Sequence, residues 1–260
     1  LSKHIPAAVI SSVASDSLAA QLGLEAGDRL VKINGQAVTD LIDYQLAEST
    51  NQLFLEVEKK DGQYWEIELE KDEEQGLGLT FTSAVFDRIK CCRNHCLFCF
   101  IDQMPPGQRK SLYIKDDDYR LSFLQGSYIT LTNLTAADWE RIHRLRLSPL
   151  YISVHATDQE VRNLLLGHKQ GGSILAGLEK LSSWGCQIHG QAVLCPGIND
   201  GLILERTIAD LGNLWPNLKS LAIVPVGLTG HRAKLPPLRK FYPEEAAAVL
   251  KTVHQAQVQF

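Results

Sequence analysis

Apolar and polar positions along this chain fall into two regimes. Up to about Phe81 the apolar runs are short and closely punctuated by turn residues, which predicts a small β-rich module over residues 1–82. Ala8–Val13 reads as a strand, and Ser17–Leu22 as a short helix closed by Gly23. Between Gly23 and Gln36, apolar Leu30 and Ile33 stand between turns rich in Gly, Asp and Asn. Asp40–Ser49 reads as a helix. Leu53–Glu58 and Tyr64–Glu70 predict two strands joined by a hairpin around Asp61-Gly62.

From about Ala84 strands and helices alternate, which predicts a second domain over 83–260. Val85–Lys90, Tyr128–Leu131, Leu150–Val154, Gln187–Leu194 and Leu218–Val224 read as strands. Thr135 opens a helix with Asp138 at its third position, a near capping box, and Trp139, Ile142 and Leu145 follow at helical spacing. Asp158–Leu166 is a helix ended by Gly167, Ser173–Trp184 and Ile203–Leu214 are two more, and Pro243–Gln257 is a last one with Pro in its first turn. Repeated β-α units with short links imply a parallel sheet with helices outside. Val258-Gln259-Phe260 reads as the opening of a sixth strand, so the chain is expected to continue beyond Phe260, and its start at Leu1 suggests trimming.

Composition narrows the class. The 260 residues are 45% hydrophobic and 22% charged, enough for one large core or two smaller ones. No apolar run approaches membrane-spanning length. A formal net charge of −4 argues against a protein built chiefly to bind nucleic acid. Of the six cysteines, only Cys186 and Cys195 stand apart from the cluster at 91–99. Clustered cysteines point to metal binding and a reducing compartment, read here as cytoplasm.

The candidate chemistry centres on Cys92, Cys96 and Cys99, spaced C-x3-C-x2-C with Phe98 before the last. Three thiolates on one short loop suit an iron–sulfur cube with one iron left open, whereas a pure electron carrier is normally held by four cysteines. The rival is a zinc knuckle with His95 or Cys91 as fourth ligand. The spacing and the aromatic resemble the signature of the radical S-adenosylmethionine (SAM) superfamily. That resemblance implies a 4Fe–4S cluster whose open iron chelates SAM, and reductive cleavage of SAM to a 5′-deoxyadenosyl radical. It also implies an incomplete six-unit TIM-like (βα) barrel, with reactive groups at the C-terminal ends of the strands.

By the same resemblance, Phe98 lies beside the adenine, and Thr132 and Asn133 occupy the place of a Gly-Gly-Glu motif that binds the SAM amino group in many relatives. The chain departs from that motif, and Thr and Asn before a helix are also ordinary caps. Ser153 and His155 alternate with Val154 at the end of the third barrel strand and would point inward, and Arg162 follows in a stretch similar to the third unit of several radical SAM enzymes. His155 and Cys195 are candidate catalytic residues, each with a packing alternative, and Asn199 lies in a polar loop of the type that lines the SAM or substrate pocket in relatives. Asp116-Asp117-Asp118, beside Lys115 and Arg120, reads as a solvated loop with local ion pairs, or else a cation site.

The stretch from Gly23 to Gln36 resembles bacterial PDZ domains. Their carboxylate-binding loop is missing from the start of the chain, but Gly76-Leu77-Gly78-Leu79 appears at the end of the module, as a circular permutation would place it. Such a groove takes an extended peptide by β-augmentation, with loop N–H groups on a C-terminal carboxylate. The alternatives are an interdomain turn and a degenerate module that binds nothing. Four longer strings, 96–105, 115–123, 194–201 and 224–229, resemble a radical SAM family with a PDZ-like N-terminus, found in cyanobacteria and clostridia and described as iron–sulfur oxidoreductases of unestablished substrate. This implies a radical SAM enzyme acting on an unknown substrate, plausibly a peptide or protein brought by its C-terminus, with ferredoxin or flavodoxin as electron donor. The competing readings are a PDZ scaffold with a redox-sensing or electron-transfer cluster, and an RNA-modifying radical SAM enzyme.

Overall fold

The computed structural model describes residues 7–168 and 173–259. The chain divides into two compact units between Ile89 and Lys90.

The N-terminal unit is a twisted antiparallel sheet with two helices. Its elements are β1 (Ala8–Val13), α1 (Leu18–Gln21), β2 (Arg29–Ile33), β3 (Gln36–Ala37), α2 (Leu41–Glu48), β4 (Gln52–Glu58), β5 (Tyr64–Glu70) and β6 (Leu79–Phe81). The strand order is β5-β4-β2-β1-β6, with β3 paired to β2, so β6 lies at an edge. Caps fall where the sequence signals them: Ser17 accepts from the Ala20 N–H, and Asp40 accepts from the N–H groups of Ile42 and Asp43. The core gathers Ile10, Leu30, Ile33, Leu53, Leu55, Val57 and Leu77 around the half-turn of α2 that carries Tyr44. Val85–Lys90 is not the predicted strand. Val85 makes a single antiparallel bridge with Asp40, and the Phe86 N–H donates to Thr39 O at 2.8 Å, so these residues pair with the start of α2.

The C-terminal unit runs α3 (Tyr119–Gln125), α4 (Ala136–Leu145), β7 (Leu150–Ser153), α5 (Gln159–Leu166), α6 (Ile174–Ser183), β8 (Ile188–Leu194), α7 (Gly201–Gly212), β9 (Leu218–Pro225) and α8 (Pro243–Gln259). Helix boundaries follow their signals: Thr135 and Asp138 form a capping box, Asp158 caps α5, and Gly167 ends it in the left-handed conformation. β7, β8 and β9 form a parallel sheet in chain order.

Of the expected six-unit barrel, the described residues show a parallel sheet of three strands. Tyr128–Leu131 is reduced to one parallel bridge, Ile129 to Ile152. The Thr130 N–H goes to the carboxylate of Asp117, 13 residues earlier, at 2.6 Å, and Leu131 turns to φ 62°, which ends extended pairing. The predicted sixth strand is also absent, because Val258 and Gln259 continue α8; Phe260 lies outside the described residues.

One buried ion pair anchors the N-terminal unit. Asp28 is fully buried, and its carboxylate accepts from Lys59 Nζ at 2.5 Å and from the backbone N–H groups of Glu25 and Lys60 at 2.8 and 3.1 Å. Burial pushes the carboxyl upward, but the Lys59 bond and the two N–H donors outweigh it and hold it below its ordinary value. Asp28→Ala leaves Lys59 buried without its carboxylate and is expected to cost about 3 kcal/mol in urea unfolding at pH 7. The folded carboxyl titrates lower than the unfolded one. The wild-type advantage is therefore full above roughly pH 4 and shrinks as pH falls below it, so the two proteins should converge in acid.

Candidate active site

The loop that carries Cys92, Cys96 and Cys99 has no regular secondary structure up to the 3₁₀ turn Ile101–Gln103, so its backbone groups need partners from elsewhere. Three neighbours supply them. Residues 115–117 pair antiparallel with 90–92: the Cys92 N–H donates to Lys115 O and the Asp117 N–H to Lys90 O, both at 2.8 Å. The C-terminal turn of α5 accepts from the His95 and Leu97 N–H groups at Leu166 O and Leu165 O, both 2.9 Å. Gly167 makes that approach possible. It sits at φ 58°, and a Cβ there would stand 2.4 Å from the His95 carbonyl oxygen. The third neighbour is Gln103, 1% exposed, whose amide donates to the carbonyls of Phe98, Cys99 and Gly227 at 3.3 Å each, while its carbonyl accepts from the Thr229 N–H at 3.2 Å. Gln103 thus ties the cysteine loop to the loop after β9.

Below Cys92 lies a polar network. The Asn94 amide donates to the hydroxyls of Thr130 and Thr132 at 3.0 and 2.9 Å, and the Thr130 hydroxyl donates to Asp117 at 2.7 Å. Asp117 is 1% exposed and its carboxyl is raised by burial, against the pull of the two Thr130 donors. Asp118 is fully buried as well and holds Arg120 through both oxygens at 2.9 and 2.7 Å. The solvated-loop reading of 116–118 therefore fails for two of its three carboxylates, which serve as internal acceptors for the strip that braces the cysteine loop.

All three cysteines line one cavity of about 490 Å³ at the C-terminal ends of β7, β8 and β9, together with Phe98, Lys115, Thr130, Ser153 and His155. Burial raises each of the three thiols, and at Cys96 burial together with the Cys92 and Cys99 charges brings it to about 12. Three thiols raised by burial on one short loop favour the thiolate form when a cation compensates them. The donor set therefore fits a cationic metal group bound through sulfur. Among the described residues no three His, Cys, Asp or Glu side chains converge closely enough to hold one ion. Lys115, ion-paired to Asp102 at 2.6 Å, adds a positive charge at the same wall.

His155 is 4% exposed and adopts φ 64°. Its ring meets Phe98 edge-on at 4.7 Å, and its Nδ1 accepts from the Val193 N–H at 3.2 Å, which leaves the proton on Nε2. Burial, with a smaller push from the Arg162 charge, lowers it to about 3. At neutral pH it is an uncharged hydrogen-bond donor on the cavity wall.

The other expected site residues divide into two groups. Phe98 and Ser153 reach the cavity, whereas Thr132, Asn133, Arg162, Cys195 and Asn199 do not line it. Arg162, expected at the cofactor, is 1% exposed and donates to the carbonyls of Val154, Thr130 and Ser153 at 3.1, 2.8 and 3.4 Å. Asn199 is fully buried; its amide donates to His155 O and Val193 O at 2.8 and 2.9 Å, and its carbonyl accepts from the Cys195 N–H at 2.7 Å. Both are positioning residues that hold strand ends and the left-handed turn of His155. Cys195 packs among Ala156, Leu165 and Val226. The Thr132 hydroxyl is taken up by Asn94, and Asn133 donates to Cys91 O at 3.4 Å behind the loop. Sequence reasoning missed Asn94, Gln103 and Thr130, and it named Asp117 without its burial, which nothing in the spacing of these residues shows.

A β-rich PDZ-like unit followed by an α/β unit with a tri-cysteine pocket at its strand ends defines a two-part α/β protein. A family model for a radical SAM-like domain matches residues 71–221, more than half of the chain, and the protein belongs to that family. A PDZ domain model matches residues 9–48. Among solved structures, the PDZ domain of an SdrC-like protein from Listeria innocua is 21% identical, covering 31% of this chain and 98% of that one with a TM-score of 0.25. A radical SAM methyltransferase from Sphaerobacter thermophilus is 15% identical, covering 92% of this chain and 77% of that one with a TM-score of 0.36. No curated protein matches the chain. Among the described residues no helix is long and apolar enough to cross a membrane.

Gly167→Ala is expected to push the cysteine loop off α5 and to speed alkylation of Cys96 severalfold, while the circular dichroism of the helices stays close to wild type. For His155, nitrogen chemical shifts should report the Nε2–H tautomer with no titration between pH 5 and 8. Its folded value lies below the unfolded value of about 6.5, so the stability it contributes is full above pH 6.5 and declines on acidification toward pH 3.

Proposed function

We propose that this chain is a radical SAM enzyme, an iron–sulfur oxidoreductase that starts hydrogen abstraction on a substrate not identified by its residues. The observation that carries the reading is the meeting of Cys92, Cys96 and Cys99 in one cavity at the ends of three parallel strands, in a chain matched over 71–221 by the radical SAM-like model. Cys92, Cys96 and Cys99 would be the ligands of a 4Fe–4S cluster. Bound there with SAM, that cluster would supply reductive cleavage of the SAM sulfonium, the electron coming from a donor such as ferredoxin or flavodoxin.

The chain's own groups support that use. Phe98 offers a flat apolar face at the cavity wall, backed by the cluster of Ala156, Leu165, Cys195 and Val226. Ser153 and the neutral His155 offer hydrogen bonds, and Lys115 offers a cation for a carboxylate. We read β7–β9 as part of an incomplete TIM-like barrel, with its site at the C-terminal ends of the strands. The PDZ-like unit supports a peptide or protein partner, taken as an extended strand. The clustering of Cys92, Cys96 and Cys99 on one loop supports a reducing, cytoplasmic setting.

Anaerobic reconstitution with iron and sulfide, followed by dithionite and SAM, tests the reading. Wild type should bind about four irons per chain and release 5′-deoxyadenosine, and Cys96→Ala should lose at least about 100-fold of that release. A wild-type cluster that leaves SAM intact would favour the electron-transfer scaffold, and tight stoichiometric zinc in place of iron would overturn both.

A further inference from the structure

In the N-terminal unit, side chains of α2 bond the segment that leads into the edge strand β6, where a PDZ-type peptide groove is expected. The Ala14 N–H donates to Gly78 O at 3.0 Å, the Thr82 N–H donates to Val9 O at 3.0 Å, and Ser12 pairs with Thr80, so residues 78, 80 and 82 turn their backbone groups toward β1. Strand alternation turns Leu79 and Phe81 the other way, toward α2, where an added strand would pair. Ahead of β6, the Leu77 N–H donates to Glu48 Oε1 at 2.5 Å while its carbonyl accepts from the Ala19 N–H at 3.0 Å. Tyr44 in turn donates to Glu48 Oε1 at 2.6 Å and packs edge-on against Phe81 at 4.8 Å. The start of α2 is pinned too, the Leu41 N–H donating to Ala84 O at 3.0 Å.

The loop itself is built for close approach. Gly78 sits at φ 80°, and a Cβ there would stand 2.3 Å from Ser17 Cβ. Its neighbour Gly76 lies against Glu48, whose Oε1 would be 3.5 Å from a Cβ at that position. A carboxylate therefore already rests on the Gly76–Leu79 loop, and it comes from the protein's own helix.

We propose that the Gly76–Leu79 loop is a carboxylate site preloaded by Glu48, so that the groove accepts a peptide C-terminus only by exchanging the Glu48 carboxylate for that of the ligand, with α2 released from β6. This rests on the PDZ character of the unit and is independent of the radical chemistry. Glu48 is the specificity-determining residue, because an amidated or internal peptide brings no charge to replace it.

The full chain is titrated into two fluorescein-labelled peptides that end in the same apolar residue, one as the free acid and one as the amide, and anisotropy is read. Wild type should bind both weakly. Glu48→Ala should tighten the free acid by about tenfold or more and leave the amide unchanged, the scale of one charge-assisted hydrogen bond. Amide exchange at Leu77 should accelerate about tenfold in the variant while exchange in β4 is unchanged, which separates an opened loop from an unfolded unit. Equal gains for acid and amide, no change at Leu77, or a wild type that already prefers the acid as strongly as the variant would each overturn the proposal. Faster exchange at Leu77 with neither peptide bound would overturn carboxylate recognition by this unit altogether.

Discussion

The C-terminal unit depends on one constraint: an irregular loop has to bury three sulfurs without leaving its own amides unsatisfied. A strand or helix answers that demand internally, but a loop must borrow partners. Here the partners are the strip at 115–117, the exposed carbonyls at the end of α5 and the side chain of Gln103. Each belongs to a different part of the unit, so the loop is located by the whole of it. The left-handed Gly167 is needed for the same reason: the α5 carbonyls are reachable only where no Cβ stands between them and His95.

The charges around the pocket follow from burial. Burial raises all three thiols, Cys92 and Cys99 add to the rise at Cys96, His155 is kept neutral and Asp117 is satisfied by Thr130. Arg162 keeps its charge in the interior by spending its N–H groups on carbonyls at the ends of strands. It thereby performs for the strand ends what a helix cap does for a helix, covering acceptors that the short, three-stranded sheet leaves open.

The N-terminal unit meets an edge-strand problem of another kind. β6 is short and lies at the border of its sheet, where free N–H groups invite another strand. α2 closes that border with Tyr44 and Glu48, placed one helical turn apart at i and i+4 so that both reach the same lip. Protection of an edge and competition with a ligand are then the same contact.

Much of the local structure was legible in the chain. β1 and β5 lie where alternation put them, α4 begins at its capping box, and α5 stops at Gly167, because these signals act over a few residues. The cysteine spacing was equally legible, since it sits on one loop. Three things were decided only by the tertiary structure. Val85–Lys90 and Tyr128–Leu131 had apolar strand character, yet side chains and segments distant in sequence claimed their backbone groups. Arg162 and Asn199 read as ligand-facing polar residues, and only the packed fold shows that the Arg162 guanidinium and the Asn199 amide donate to backbone carbonyls. Glu48 carried no signal at all, because its partner Leu77 lies 29 residues on, and no periodicity in a sequence reports a contact that folding alone brings about.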